Sequence, residues 1–347
     1  MTSSGPTRRS LFAIGLVTAA SMTLAACGGS SSEAASGSGG SGGSGGSLNL
    51  VGFAVIKSAY DQLGTEFAKT DAGKGVTVKG SYGASGAQSR AVIAGQKADV
   101  VVLSIEPDVD NIVKADLIDS TWNSGANKGI VSESVVVIAV RKGNPKGIKG
   151  WADIVKPGVG IVTADPGTSG SAKWNLFAAY TQAAGAADNE AAGKTYLTSF
   201  IKNVVSWNDS GRTATDAFVK GTGDVLISYE NEAIAARAAG VELDYIVPDS
   251  TLLIENAGAV TKAAAEPVAK DFLSYVESAD GQKILGQNGF RPVDDSVKVT
   301  DVKGANDPAN PFPSVAHLAT IAEYGGWSEV NKKFFDKTSG LVTQLRK

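Results

Sequence analysis

From Leu48 onward, short apolar runs alternate with stretches in which apolar residues recur every three or four positions. The runs 48–55, 76–79, 100–105, 135–140, 160–163, 204–207 and 225–229 read as strands, because continuous short apolar runs suit strands covered on both faces. Helices are predicted over 58–68, 88–94, 107–115, 174–184, 191–204 and 214–220, with a short one at 151–155. Strands alternating with helices indicate an α/β architecture of mainly parallel sheets flanked by helices. At 347 residues the chain is long enough for two such units, and their simplest arrangement is two lobes around a cleft. No internal repeat is visible.

The first 47 residues follow a different pattern. Arg8 and Arg9 precede an apolar run over 11–24 that ends in Leu24-Ala25-Ala26-Cys27. A basic start, about 14 apolar residues and small residues before a cut describe an export signal over 1–26, too short for a membrane span. Leu-Ala-Ala-Cys resembles the bacterial lipobox, which implies a diacylglycerol on the Cys27 thiol. Thr7-Arg8-Arg9-Ser10-Leu11-Phe12 also has the paired arginines of a twin-arginine signal, with Leu11 where Phe is usual. Ordinary secretory signals carry such pairs too, so the export route stays open. Residues 28–47 are Gly, Ser, Ala and a single Glu, a flexible coil with a reach of roughly 25 Å. The expected product is a globular body tethered by lipid to the outer face of a membrane.

Composition narrows the function. Basic residues number 32 against 35 acidic, which excludes the basic excess of a nucleic-acid binder. Losing Arg8 and Arg9 leaves 30 basic residues and a net charge of −5. The single Cys excludes a disulfide framework and a cysteine zinc site. The single His, His317, expected in a C-terminal helix, argues against most metal centres and the usual hydrolase triad. Gly193-Lys194-Thr195 looks like the tail of a P-loop, but Asp188 stands where its first Gly is required. Gly83-Ala84-Ser85-Gly86-Ala87 loosely matches a nucleophile elbow and lacks a His partner. No catalytic residue, metal or cofactor is expected, and an exported α/β hydrolase is the weaker rival.

Three segments share one composition: Ser81-Tyr82-Gly83-Ala84-Ser85-Gly86-Ala87, Asp165-Pro166-Gly167-Thr168-Ser169-Gly170-Ser171 and Asn208-Asp209-Ser210-Gly211-Arg212-Thr213. Each is a small-residue loop after a strand that opens a helix, where free backbone N–H groups and hydroxyls converge on an anion. The plainer alternative is three good N-caps.

Longer strings resemble the sulfate/thiosulfate-binding proteins of bacterial ABC importers, over nearly the whole body from Leu48 to about Leu345. They include Gly83-Ala84-Ser85-Gly86 with Arg90-Ala91-Val92-Ile93, Val140-Arg141-Lys142-Gly143-Asn144-Pro145, and Thr168-Ser169-Gly170 with Ala172-Lys173-Trp174-Asn175. Further matches are Glu230-Asn231-Glu232-Ala233, Arg291-Pro292 and Gly325-Gly326-Trp327. The resemblance implies a two-lobed, type II periplasmic-binding-protein fold that closes on one tetrahedral dianion. Lobe I would comprise 48–133 plus 255–347 and lobe II 134–254. It also implies ligand contacts from Ser85, Ser169, Gly170, Ser171 and Gly211, with Arg212 beside the last. The family's Trp donor falls on Tyr229, its first-loop His on Tyr82, and its Tyr-Asp-Pro-Thr-Arg segment on Phe53-Ala54-Val55-Ile56-Lys57. A Tyr hydroxyl still donates. The implied partners are sulfate or a related oxyanion, ABC permease subunits and, through lipid, the membrane; a monomer is expected.

The matched positions supply donors and no carboxylate. That suits unprotonated sulfate better than phosphate, which keeps a proton and is recognised by an acceptor. Asp165 and Asp209 are expected to be turn residues. Thiosulfate, molybdate and tungstate stay open.

Overall fold

The computed structural model describes residues 46–264 and 267–347; the expected signal, Cys27 and nearly all of the linker lie outside them. Among the described residues ten strands form one mixed sheet: β1 (Ser47–Phe53), β2 (Thr77–Gly83), β3 (Val100–Leu103), β4 (Ile130–Arg141), β5 (Ile161–Ala164), β6 (Val204–Asn208), β7 (Val225–Tyr229), β8 (Leu243–Ile246), β9 (Ser250–Val260) and β10 (His317–Ala319). The helices are α1 (Lys57–Phe67), α2 (Ser85–Ile93), α3 (Glu106–Lys114), α4 (Trp151–Ile154), α5 (Gly170–Ala184), α6 (Glu190–Asn203), α7 (Gly211–Val219), α8 (Glu230–Ala238), α9 (Val268–Glu277), α10 (Ala279–Gln287), α11 (Gly326–Val330) and α12 (Leu341–Leu345).

The strand order β2-β1-β3-β9-β4-β7-β5-β6 divides the sheet into two halves. β1 pairs in parallel with β2 and β3, and β5 pairs in parallel with β6 and β7. The long strands β4 and β9 carry the chain between the halves. β4 pairs with β9 through Ile130 to Val135 and with β7 from Val136 to Val140. β9 in turn pairs with β3 from Ala257 to Val260. The expected parallel α/β units are therefore present, joined by an antiparallel pair that the sequence reading did not contain.

Val51, Val101, Leu103, Val109 and Ile112 form a core on the first half. Val137, Val162, Phe218, Leu226 and Tyr245 form one on the second. The larger core runs through both and takes in the C-terminal segment. There Trp327 meets Trp174 edge-on at 4.7 Å, and Phe334 packs on Phe177 at 5.0 Å and Tyr180 at 4.5 Å. Lys333 pairs with Asp188 and Glu190, and Arg346 pairs with Asp165 and stacks over Trp207. The segment from His317 onward thus packs on α5, α6, β9 and α3. His317 itself opens the exposed strand β10 rather than lying in a helix. No helix among the described residues is long and apolar enough to cross a membrane.

Candidate functional site

The three small-residue segments are not loops to their ends. α2, α5 and α7 start at Ser85, Gly170 and Gly211, three or four residues before the predicted helices, so the small residues form the first turn. Gly and Ser are poor helix formers, but the first turn lacks intrahelical partners for its N–H groups and tolerates them. Only the third segment spends a side chain on capping. Ser210 and Thr213 form a reciprocal capping box, whereas neither Ala84 nor Ser169 caps its helix with a side chain. Asp165 is a turn residue, accepting Gly167 N–H at 2.7 Å.

The first turns meet across the two halves. Ser104, just after β3, is the hub. Its N–H donates to Ser85 Oγ at 3.0 Å, and its Oγ lies 2.7 Å from the Tyr229 hydroxyl. A methyl group at Gly170 would stand 2.7 Å from Ser104 Oγ, and one at Gly211 would stand 3.0 Å from Ser171 Oγ and 3.2 Å from Val55. Close approach thus favours glycine at both positions, most strongly at Gly170, where Ser104 Cβ would stand 2.9 Å away. Gly86 N–H donates to Thr168 O at 3.1 Å, tying the first segment to the second directly. Ser85, Ser169, Gly170, Ser171, Gly211 and Tyr229 are all buried. Tyr229 ends β7 and is the N-cap residue of α8. Its phenol is held well above the usual range, mainly by burial. Tyr82 lies apart from this cluster, donating to Asp61 at 3.1 Å.

The buried carboxylates near the cluster are all engaged. Ser85 Oγ donates to the buried Asp108 at 2.6 Å. Burial raises the Asp108 carboxyl, opposed by the Ser85 bond and by the positive charges of Lys173 and Arg90. Glu230 is fully buried and paired with Arg291 Nε at 2.7 Å. Arg212 is turned to Glu232: Nε lies 2.8 Å from Oε1, poorly aligned for a hydrogen bond, while Nη2 donates at 3.0 Å. Its charge therefore offsets a buried carboxylate beside the cluster. A groove of about 620 Å³ runs along the outside, lined among others by Arg90, Asp108, Ser169, Gly170, Lys173 and Lys337. No group of His, Cys, Asp or Glu suited to a metal occurs among the described residues.

Sequence reasoning missed Ser104 and Asp108. Both sit beyond β3, in Ser104-Ile105-Glu106-Pro107-Asp108, which carries no glycine and only one small residue. The available signal was position alone: this segment, too, joins a strand to a helix.

Three helix N-termini gathered on buried hydroxyls, between two half-sheets joined by the long strands β4 and β9, define a two-lobed protein built to close on a small ligand. The chain belongs to the family of bacterial extracellular solute-binding proteins, which it matches over residues 48–291. It is 40% identical over 341 residues to the sulfate-binding protein of Synechococcus elongatus, covering 95% of this chain and 94% of that one. It is 33% identical over 302 residues to the thiosulfate-binding protein of Escherichia coli, with 83% and 85% covered. Among solved structures, the sulfate-binding protein SubI from Mycobacterium tuberculosis superposes with a TM-score of 0.79 at 42% identity, over 84% of this chain and 99% of that one. The family is one of binding proteins, not enzymes, and works outside the cytoplasm.

Proposed function

We propose that this protein captures sulfate between its lobes and delivers it to the permease subunits of an ABC importer. The observation that carries this reading is the meeting of the first turns of α2, α5 and α7 with the Tyr229 hydroxyl in one buried cluster. Such turns present N–H groups and positive dipole ends to an anion. Ser85, Ser169, Gly170, Ser171 and Gly211 line the anion, Tyr229 donates its hydroxyl, and Arg212, beside Gly211, offsets the buried Glu232 carboxylate that would otherwise repel the anion. The relatives named for sulfate support the choice, and the one named for thiosulfate makes that ion the near rival. A donor-rich site with its buried carboxylates already engaged disfavours phosphate, because the proton of hydrogen phosphate needs a free acceptor and sulfate has none to place.

The lobes divide where β4 and β9 change partners, between Val135 and Val136 and near Leu253. This supports 134–254 as the insert, with the C-terminal segment from His317 leaning on it. The sequence of the first 47 residues supports export, cleavage before Cys27 and a lipid anchor on its thiol, leaving a monomer on a flexible tether. Calorimetry of the desalted protein against sulfate, thiosulfate, phosphate and molybdate tests the assignment. Sulfate is expected to bind with 1:1 stoichiometry and the highest affinity; preference for phosphate or molybdate would refute it.

A further inference from the structure

Every polar atom of Ser104 is committed, and to four different segments. Its N–H donates to Ser85 Oγ in α2, and its carbonyl accepts from Trp174 Nε1 in α5 at 2.8 Å and from Asn256 Nδ2 in β9 at 3.1 Å. Its hydroxyl pairs with Tyr229 at the end of β7 at 2.7 Å. Ser104 follows β3 in the first half-sheet, whereas Trp174 and Tyr229 belong to the second. Two of its bonds therefore run from one half to the other. Ser104 is also 1% exposed, so no water replaces these partners in the closed form.

The protons can be counted. The Tyr229 hydroxyl interacts with those of Ser104 and Ser171, and each of the three carries one proton. Two contacts among them consume two protons and leave one for a ligand. Without the Ser104 hydroxyl, Tyr229 is free to rotate its O–H within the cluster, and the closed form loses a cross-cleft bond.

We propose that Ser104 is a positioning residue of the anion site: its hydroxyl clasps the Tyr229 hydroxyl across the cleft, fixing the direction of the donated proton and holding the lobes shut. This rests on the reading of the cluster as a tetrahedral oxyanion site. Ser104 is not itself a ligand. Its loss acts on how long the closed complex lasts, not on how fast the anion arrives.

The test is a double-mutant cycle on Ser104→Ala, Tyr229→Phe and the double variant, with Ser85→Ala as a reference. Sulfate is the probe, followed by calorimetry and by stopped-flow tryptophan fluorescence. Ser104→Ala is expected to raise koff about 5- to 10-fold, the worth of one neutral hydrogen bond, with kon within twofold of the parent. Ser104→Ala should then cost less than twofold in the Tyr229→Phe background, because the Ser104 hydroxyl acts only through that of Tyr229. Melting of the ligand-free variants shows that each folds, and Ser104→Thr, which keeps the hydroxyl, should recover most of the lost lifetime. If Ser85→Ala weakens binding while Ser104→Ala stays within twofold of the parent, or if the two losses multiply in full, the Ser104 inference is overturned and the oxyanion site stands. If the parent protein does not bind sulfate, the site reading fails and this inference with it.

Discussion

Gly170 offers a perturbation that acts on the closed form alone. Alanine there would place its methyl carbon 2.7 Å from Ser104 Oγ, 2.9 Å from Ser104 Cβ and 3.3 Å from Ile105 Cγ1. The hydroxyl can swing aside, but Ser104 Cβ is fixed to the backbone, so relief requires the first turn of α5 to withdraw from β3. Overpacking of this kind costs about 1–3 kcal/mol, which converts to roughly 5- to 150-fold in affinity if the open form carries no clash. In the open form the same change puts a better helix former at the first position of α5. Gly170→Ala should therefore weaken sulfate binding while leaving the ligand-free melting temperature unchanged or slightly raised. Calorimetry with sulfate and a thermal melt of the desalted protein read the two effects separately. Wild-type affinity in the variant would refute the closing geometry; a parallel loss of apo stability would mean that the contact belongs to the core, not to closure.

Three further outcomes are expected. Ser169→Ala removes a buried hydroxyl that caps no helix, and should cost about 1.5–3 kcal/mol of sulfate binding, or roughly 10- to 150-fold, by calorimetry; an unchanged affinity would reduce the second segment to a helix start. Glu133 lies opposite Glu255 on the crossing strands, and burial, then Glu255 and Asp295, raise its carboxyl from 4.5 to about 7 against the pull of Arg291. A raised carboxyl favours folding while protonated, so its contribution is intact below about pH 4.5 and is lost as pH rises through about 7. Glu133→Gln should accordingly match the parent's ligand-free melt at pH 4.5 and exceed it at pH 8 by about 1–2 kcal/mol, a figure reduced for partial exposure; equal melts at pH 8 would contradict this. Cys27→Ala should be exported but recovered in soluble form, and its retention on membranes after a carbonate wash would refute the lipid anchor.

The parts of the fold legible in the sequence were those with a local signature. β1, β3, β5 and β7 are short buried apolar runs, and the helices between them show their periodicity. β9 was not legible because Ser250, Glu255, Asn256 and Gly258 interrupt its apolar residues, and the pairing that stabilises it comes from β4, more than a hundred residues earlier in the chain. The place of the C-terminal segment was hidden for a similar reason: Trp327 and Phe334 are ordinary apolar residues until α5 supplies Trp174 and Phe177 to meet them. At the site, glycine and serine after a strand marked three of the first turns. Ser104 and Asp108 escaped notice because what makes them special is position, a hydroxyl facing Tyr229 and a carboxylate behind Ser85, and neither relation is local. Arg212 was legible as a charge beside the third segment, but its engagement by Glu232 was not.

The central claim is that one tetrahedral dianion sits where the first turns of α2, α5 and α7 meet. Selenate has the charge and shape of sulfate and scatters anomalously, so a crystal of the desalted protein grown with selenate locates the ion without reference to any relative. The account predicts one strong anomalous peak inside the closed cleft, within hydrogen-bond reach of the first-turn N–H groups at Gly170 and Gly211 and of the Tyr229 hydroxyl. A peak only in the outer groove beside Arg90 and Lys337, or none between the lobes, would contradict it.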